Sequence, residues 1–200
     1  GYTDDRIILI VEDDIADNVS NPNKGVIQVT IGGNNVYENV EIDYRMSSLK
    51  AKDILAILNG EKSESLPTVI ESTENDNLFV FWSGHGVPGA MCWDEEPYAM
   101  TGDDLSTVFK DMNLKSYRKL LMMVEACFSG GVMEQCEGIP GMLFITAANG
   151  DETSKADVFN GEMKVWMSNR FTSTFIEQIT DNKEVAMRDL YYRLFINTVG

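Results

Sequence analysis

The sequence predicts an α/β domain whose central sheet is mostly parallel and carries helices on both faces. Short apolar runs of strand length alternate with amphipathic segments of helix length. The apolar runs are continuous rather than alternating, as in strands that are buried on both faces. The chain has 200 residues, of which 44% are hydrophobic and 24% are charged. This length and composition suit a single globular domain with a sizeable core, spanning residues 1–200.

The first four predicted elements each rest on a different local signal. A continuous aliphatic run that ends in acidic residues indicates a buried strand, and two apolar segments around a Gly-Gly-Asn-Asn sequence indicate a hairpin. A segment with helical periodicity that stops at Gly60 indicates a helix, and a polar stretch containing Pro67 indicates a surface loop. In order, they are a strand at residues 6–11, a hairpin at 26–31 and 36–40, a helix at 49–58 and a loop at 61–75.

The remaining elements form a regular alternation of strands and helices. Three short apolar runs have the length and composition of buried strands. Three longer segments have the spacing of amphipathic helices. The strands are predicted at residues 78–82, 120–124 and 142–146, and the helices at 102–112, 168–179 and 183–196.

Charge and composition exclude several classes of function. The formal net charge is −16, which repels phosphate backbones and anionic lipid, so no nucleic-acid partner is expected. No apolar run approaches the roughly 20 residues that span a bilayer, so no membrane segment is predicted in this chain. Three cysteines and one histidine predict neither a disulfide framework nor a zinc site. Asp13, Asp14 and Asp17 lack the spacing of a calcium loop and are interpreted as a solvated acidic turn. No metal or cofactor is predicted.

Two of the predicted strands end in polar, glycine-flanked loops. The strand at 78–82 leads into His85, and the strand at 120–124 leads into Cys127. Taken singly, such a histidine is usually structural and such a cysteine is usually a small buried hydrophobe. If the two strands are neighbours, however, the imidazole faces the thiol and activates it as a nucleophile. The backbone amides of Gly86 and Cys127 then point at a developing oxyanion. Cys92, which has no obvious base in the sequence, and Cys136 are interpreted as structural.

A series of short segments spread over nearly the whole chain carries a family resemblance. They are Asp13-Asp14-Ile15-Ala16 with Asn21-Pro22, Val36-Tyr37, Ile42-Asp43-Tyr44, Leu55-Ala56-Ile57-Leu58-Asn59-Gly60, His85-Gly86-Val87-Pro88-Gly89, Tyr117-Arg118-Lys119, Glu125-Ala126-Cys127-Phe128-Ser129-Gly130 and Thr146-Ala147-Ala148-Asn149. With these segments in this order, the chain resembles the legumain-like (C13) cysteine peptidases. That family includes asparaginyl endopeptidases and the catalytic subunit of the GPI-anchor transamidase.

The resemblance implies a fold, a set of site residues and an activity. The fold would be caspase-like, with three α/β/α layers and a small β-hairpin insertion. His85 and Cys127 would form the catalytic dyad, the amides of Gly86 and Cys127 the oxyanion hole, and Glu125 the acidic wall of the primary specificity pocket. The substrate would be a peptide or protein cleaved after a small polar residue, Asn in the family. The family also suggests a secreted or extracytoplasmic location.

One part of the family pattern is missing from this sequence. In the family, a strand and a helix precede the strand at residues 6–11, and that first strand lies between the strands at 6–11 and 78–82. It also carries the Asn that orients the catalytic histidine and a basic pocket residue, so neither is assigned here. A second pocket acid aligns ambiguously between Glu162 and Ser168. We therefore expect residues 1–200 to be part of a peptidase domain, completed by a preceding fragment of the same precursor, with self-processing as one route to its release.

Three functions are consistent with the sequence. The leading hypothesis is a cysteine endopeptidase that acts through a thioester intermediate. A transpeptidase or ligase would form the same thioester, but an amine rather than water would attack it and take the acyl group. A catalytically idle peptidase-like binding domain is the third, although the intact His85 and Cys127 argue against it. A thiol phosphatase is disfavoured because Met133 stands where its loop needs Arg.

Overall fold

A computed structural model describes residues 2–29, 32–92, 99–113, 115–161, 163–181 and 184–198. None of the helices within these ranges is long and apolar enough to cross a bilayer. The strands are β1 (Ile10–Val11), β2 (Tyr44–Arg45), β3 (Asn77–Ser83), β4 (His85–Val87), β5 (Ala90–Cys92), β6 (Ala99–Thr101), β7 (Lys119–Glu125), β8 (Met142–Thr146), β9 (Ala156–Asn160) and β10 (Val165–Asn169). The α-helices are α1 (Ala51–Leu58), α2 (Gly102–Asn113), α3 (Ser129–Met133), α4 (Arg170–Asp181) and α5 (Met187–Thr198), with short 3-10 helices at Asp4–Arg6, Met46–Ser48 and Glu134–Cys136.

The main sheet is parallel and has the strand order β3-β7-β8. Its register aligns Phe79 with Leu121 and Met123 with Ile145. All three strands were predicted, and their observed bounds differ from the prediction by one residue at most. Continuous apolar runs suit these positions because β7 has a neighbour on each side and is buried along most of its length. The prediction of a mixed α/β fold with a mostly parallel central sheet is confirmed.

Helices α4 and α5 cover one face of this sheet. Met123 of β7 and Ile145 of β8 pack with Phe171 of α4 and with Leu190 and Leu194 of α5, and each of these side chains is at most 4% exposed. Because side chains alternate along a strand, Leu120, Met122 and Val124 project from the opposite face, and they are buried as well. The amphipathic periodicity that predicted these two helices therefore reflects their packing on the sheet.

The chain forms two compact units, Gly1–Ile70 with Phe159–Met167, and Glu71–Val158 with Ser168–Gly200. In the first unit, β1 and β2 form a short parallel pair. Helix α1 buries Ile54, Ile57 and Leu58. It ends before Gly60, whose φ is +73° and where a Cβ atom would lie 2.7 Å from the Ile70 carbonyl oxygen. The predicted loop at 61–75 has no regular secondary structure.

The structure corrects two predictions in the first unit. Only Ile10–Val11 of the predicted strand at 6–11 is paired, because its partner β2 is just two residues long. The predicted hairpin is not a ladder of strands in its described part. Val36 donates a backbone hydrogen bond to Ile27, and the Asn35 side chain accepts one from the Ile27 amide. Polar side chains here replace the backbone ladder. Residues 30 and 31, also predicted in this hairpin, lie outside the described residues.

The acidic turn also differs from the prediction. Asp13 was interpreted as solvated, but its side chain is only 13% exposed. It accepts hydrogen bonds from the Tyr37 hydroxyl at 2.6 Å and from Arg45 at 2.8 Å. Hydrogen bonds therefore connect Asp13 to Tyr37 and Arg45 of the same unit.

Two β structures were not predicted. Strands β4, β5 and β6 form a small antiparallel sheet directly after β3. Strands β9 and β10 form a two-stranded sheet, and β10 includes residues 168 and 169, which were predicted as the start of α4. Strands β4 to β6 have only three residues each and give no clear periodic signal, and polar residues limit the apolar runs of β9 and β10. Position 183, predicted as the start of the last helix, lies outside the described residues, and α5 is described from Met187.

Candidate active site

The carboxyl ends of β3 and β7 lie side by side. Ser83, the last residue of β3, is in register with Glu125, the last residue of β7. The contact continues past the strands, because the Gly84 amide donates a hydrogen bond to the Glu125 carbonyl at 3.0 Å. The loops that follow, with His85 and Cys127, therefore leave the same edge of the sheet, where ligand sites of parallel α/β sheets form.

Gly86 makes a very close approach to the loop of Cys127. A Cβ atom at position 86 would lie 2.0 Å from the Cys127 carbonyl oxygen and 3.2 Å from the Ala126 Cβ. No side chain is accommodated at these distances, so the two loops can lie this close only with glycine at this position. The structure thus brings together the backbones of the two residues predicted to form the oxyanion hole.

His85 is the first residue of β4 and is exposed. It is in register with Cys92 on the antiparallel neighbour β5. Residues that are directly opposite on antiparallel strands share a face, with Cβ atoms about 4.5–5.5 Å apart. The sequence around Cys92 contains no base, but the register of the sheet places the half-buried Cys92 opposite His85. That Cys92 is structural stays a prediction.

The backbone turn at Cys127 is held by the segment that follows β8. Phe128 adopts a left-handed conformation with φ +57°, and α3 begins at the next residue. The Phe128 amide donates to the Glu152 carbonyl at 2.7 Å, and the Gly130 amide donates to the Ala148 carbonyl at 3.0 Å. A strained turn of this kind persists only where its surroundings hold it in place.

The two glycines after Ser129 allow that segment to pack against the turn. A Cβ atom at Gly130 would lie 3.0 Å from the Ala148 carbonyl oxygen and 3.1 Å from Asn149, and one at Gly131 would lie 3.2 Å from the Gly150 Cα. A side chain at either position would press on the opposite backbone, so glycine favours the close packing of the two segments.

Glu125 is buried at the end of β7, with 1% of its surface exposed. Its Oε2 accepts hydrogen bonds from the backbone amide and the hydroxyl of Thr172, both at 3.2 Å. Its Oε1 has no hydrogen-bond partner among the described residues. Burial raises the pKa of Glu125 above its ordinary value, while the hydrogen bonds from Thr172 and the nearby Ser154 hydroxyl oppose that shift.

The structure adds two residues to the site that the sequence did not single out. Ser154 lies in the segment after β8, and its Oγ is 3.8 Å from Cys127 Sγ. Thr172 lies in the first turn of α4, where backbone amides lack partners within the helix. Glu125 therefore links β7 to the start of α4. The sequence contained one signal for a partner such as Thr172, because a carboxylate at the end of a buried strand requires hydrogen-bond donors. Nothing in the sequence identified which residues would supply them.

The third thiol lies in a different environment. Cys136 is 1% exposed, in the 3-10 helix after α3. Burial raises its pKa to about 11, so it stays protonated at neutral pH and is a poor nucleophile. Glu162, at the start of the stretch in which a second pocket acid aligns ambiguously, lies outside the described residues.

Comparison with known proteins identifies relatives along most of the chain. The model of the peptidase C13 family matches residues 1–194. Legumain from Rattus norvegicus is 30% identical over 196 residues, which are 96% of this chain and 44% of the legumain. The vacuolar-processing enzymes of Ricinus communis and Vicia sativa are 34% and 35% identical, over 77% of this chain and 32% of each enzyme.

The chain thus spans less than half the length of these relatives. The matched region nevertheless includes the strands, the two glycine-flanked loops and the helices described above, apart from the last four residues of α5. The family match covers nearly the whole chain and agrees with the mixed α/β architecture and its parallel sheet. On this basis the chain belongs to the peptidase C13 family.

Proposed function

We propose that this chain is the catalytic part of a cysteine endopeptidase, with Cys127 as the nucleophile and His85 as its acid–base partner. The supporting observation is the close approach of Gly86 to the Cys127 backbone. It holds the loop of the only histidine in the sequence against the loop of Cys127. Membership of the peptidase C13 family supports the same chemistry.

In the proposed mechanism, His85 takes the thiol proton and Cys127 Sγ attacks the scissile carbonyl carbon. The carbonyl oxygen becomes an oxyanion, which the amides of Gly86 and Cys127 stabilise. The carbon–nitrogen bond then breaks, and the leaving amine takes the proton from His85. Water next gives a proton to His85 and attacks the thioester. The acid product leaves, and the sulfur departs as thiolate.

Glu125 is proposed to bind the substrate side chain that precedes the scissile bond. One carboxylate oxygen of Glu125 accepts two hydrogen bonds from Thr172, and the other is buried without a partner among the described residues. An unpartnered buried oxygen is costly, so a substrate N–H group that reaches it gains a favourable hydrogen bond. The amide of an Asn side chain has this chemistry. We therefore propose cleavage after Asn.

Cys92 offers a specific alternative as the nucleophile because it is in register with His85. Cys127 is favoured for two reasons. Its own backbone lies against Gly86, and it follows a strand at the carboxyl edge of a parallel sheet, beside a strained turn, as nucleophiles in α/β enzymes do. Replacing each thiol separately decides between them.

We also propose that a further strand pairs with residues 78–81 of β3, on the side that faces away from β7. Within the described ranges β3 is hydrogen-bonded to β7 on one side only. Phe79 and Phe81 of this strand are 42% and 37% exposed and contact Phe175 of α4. An open edge next to exposed aromatic side chains is a liability that proteins normally cover. We propose that the strand at this edge of β3 comes from the preceding fragment of the same precursor, which is released by self-processing.

The test of the catalytic proposal is a peptide panel that varies the residue before the scissile bond. We expect turnover to be greatest with Asn and absent with Cys127→Ala. Unchanged turnover in Cys127→Ala would overturn the assignment. Adding an amine nucleophile and measuring product masses separates hydrolysis from peptide ligation, which share the thioester.

Self-processing is tested on the precursor itself. Intact-mass analysis of the precursor and of its Cys127→Ala variant should show fragments in the first and none in the second. Identical fragments in both would exclude self-cleavage.

A further inference from the structure

The Ser154 hydroxyl lies beside the Cys127 thiol. The two atoms are 3.8 Å apart, and both residues are half-buried. Hydrogen bonds that involve sulfur are longer and weaker than those between nitrogen and oxygen. The distance is therefore that of a sulfur hydrogen bond, in which either group can donate.

The same hydroxyl is near enough to the carboxyl group of Glu125 to oppose the rise in the pKa of that group. Glu125 is itself fixed in position, because Thr172 holds its Oε2 through both a backbone amide and a hydroxyl. Ser154 therefore lies beside the thiol and near a carboxyl group that is anchored to α4.

We propose that Ser154 is a positioning residue whose hydroxyl stabilises the thiolate form of Cys127. A hydroxyl that donates to a thiolate makes a charge-assisted bond, whereas a neutral thiol is a weak donor to a hydroxyl oxygen. The hydrogen bond is thus stronger in the charged state and favours it. This inference rests on the proposed function only in taking Cys127 as the nucleophile.

Several ionisable side chains lie on the segments around the thiol. Glu125 is on β7 and His85 is on β4, while Glu152 and Lys155 flank Ser154 in sequence. Helix α3 contributes none. Because Ser154 is neutral, its replacement removes no charge of its own. It does let the pKa of Glu125 rise further, and less negative charge near the thiol would favour the thiolate, so this side effect opposes the expected shift. An upward shift of the thiol profile after replacement therefore reports the hydroxyl itself.

The test is the pH dependence of alkylation of Cys127 by iodoacetamide, followed by mass spectrometry of the peptide that contains Cys127. Iodoacetamide reacts with the thiolate and needs no substrate pocket. We expect Ser154→Ala to move the midpoint of the profile upward by about half to one pH unit, the value of one ordinary hydrogen bond. Ser154→Thr, which keeps the hydroxyl, should restore it. Thr153→Ala, the exposed neighbour, should match the unchanged chain.

Three results would overturn the proposal. They are a Ser154→Ala profile that superimposes on the original, a shift that Ser154→Thr does not reverse, and an equal shift in Thr153→Ala. Because no peptide is cleaved in this assay, its outcome is separate from that of the catalytic proposal. Failure to hydrolyse any peptide, with the expected alkylation shift, would contradict the proposed function and leave the role of Ser154 intact.

Discussion

The two edges of β3 differ in whether their backbone groups pair with another described strand. On one side, β3 is in register with β7 over its whole length, and the paired strands end in the loops of His85 and Cys127. On the other, no described strand is paired with it, and Phe79 and Phe81 are partly exposed. The local geometry around Cys127 is therefore built by strands and loops of one compact unit. The open side is where we propose that a further segment pairs.

The largest expected effect distinguishes two of the three thiols, Cys127 and Cys92. Cys127→Ala should lower kcat/KM by at least about a thousandfold, since removing a nucleophile eliminates the covalent route. Cys92→Ala is the matched control and should retain most of the activity. Peptide hydrolysis by the two purified variants measures both effects. Loss of activity in Cys92→Ala with retention in Cys127→Ala would reverse the assignment.

Gly86→Ala tests the close contact between the loops. The new Cβ would lie 2.0 Å from the Cys127 carbonyl oxygen, so the backbone must move. We expect the free energy of unfolding to fall by about 2 kcal/mol or more, with a loss of activity.

Gly161→Ala is the matched control for this substitution. Nothing lies within 4 Å of the position that its new methyl group would take, and its unfolding free energy should change by less than about 1 kcal/mol. Denaturant unfolding measures both variants. Equal stability of Gly86→Ala and the original chain would contradict the packing described for the two loops.

The open side of β3 is tested by hydrogen exchange. If a preceding fragment pairs with β3, amides of residues 78–81 that point away from β7 should exchange at least about tenfold more slowly in the precursor than in the 200-residue chain. Amides of β7, which is paired on both sides, should be protected in both forms. Equal exchange of residues 78–81 in the two forms would rule out strand addition at this edge.

Glu125→Gln tests the buried carboxyl group through stability. Because burial raises the pKa of Glu125 in the folded state above its ordinary 4.5, the folded chain binds its proton more tightly than the unfolded chain does. The folded state therefore loses stability as the pH rises from about 4.5 through the raised folded-state pKa. Gln does not titrate.

The expected result is that the stability of Glu125→Gln relative to the original chain increases across this window and then levels off. Urea unfolding at a series of pH values measures the difference. A relative stability that moves in favour of Glu125 as the pH rises would show that its bonds to Thr172 outweigh burial.

The elements of this fold differ in how well the sequence predicted them. Strands β3, β7 and β8 and helices α1 and α2 were predicted because each has a strong period or a continuous apolar run. The hairpin prediction failed at Asn35, where a side chain takes the place of a backbone ladder. Strands β4 to β6 were missed because runs of three residues have no measurable period.

For the site, the sequence predicted both loops but not the residues that contact them, Ser154 and Thr172. His85, Gly86, Glu125 and Cys127 follow strands or end them, so their position is a consequence of topology. The bond between Cys127 and Ser154 joins residues 27 positions apart, and the bond between Glu125 and Thr172 joins residues 47 positions apart. Such contacts depend on how the loops pack in three dimensions, for which a single sequence carries no periodic signal.

Covalent labelling tests most directly whether Cys127 is the nucleophile. A peptide acyloxymethyl ketone with Asn next to the reactive group is incubated with the complete protein, and the modified residue is located by peptide mapping. We predict a single adduct on Cys127, formed in step with the loss of peptide hydrolysis. An adduct on Cys92, or continued hydrolysis by a protein fully labelled at Cys127, would contradict the assignment.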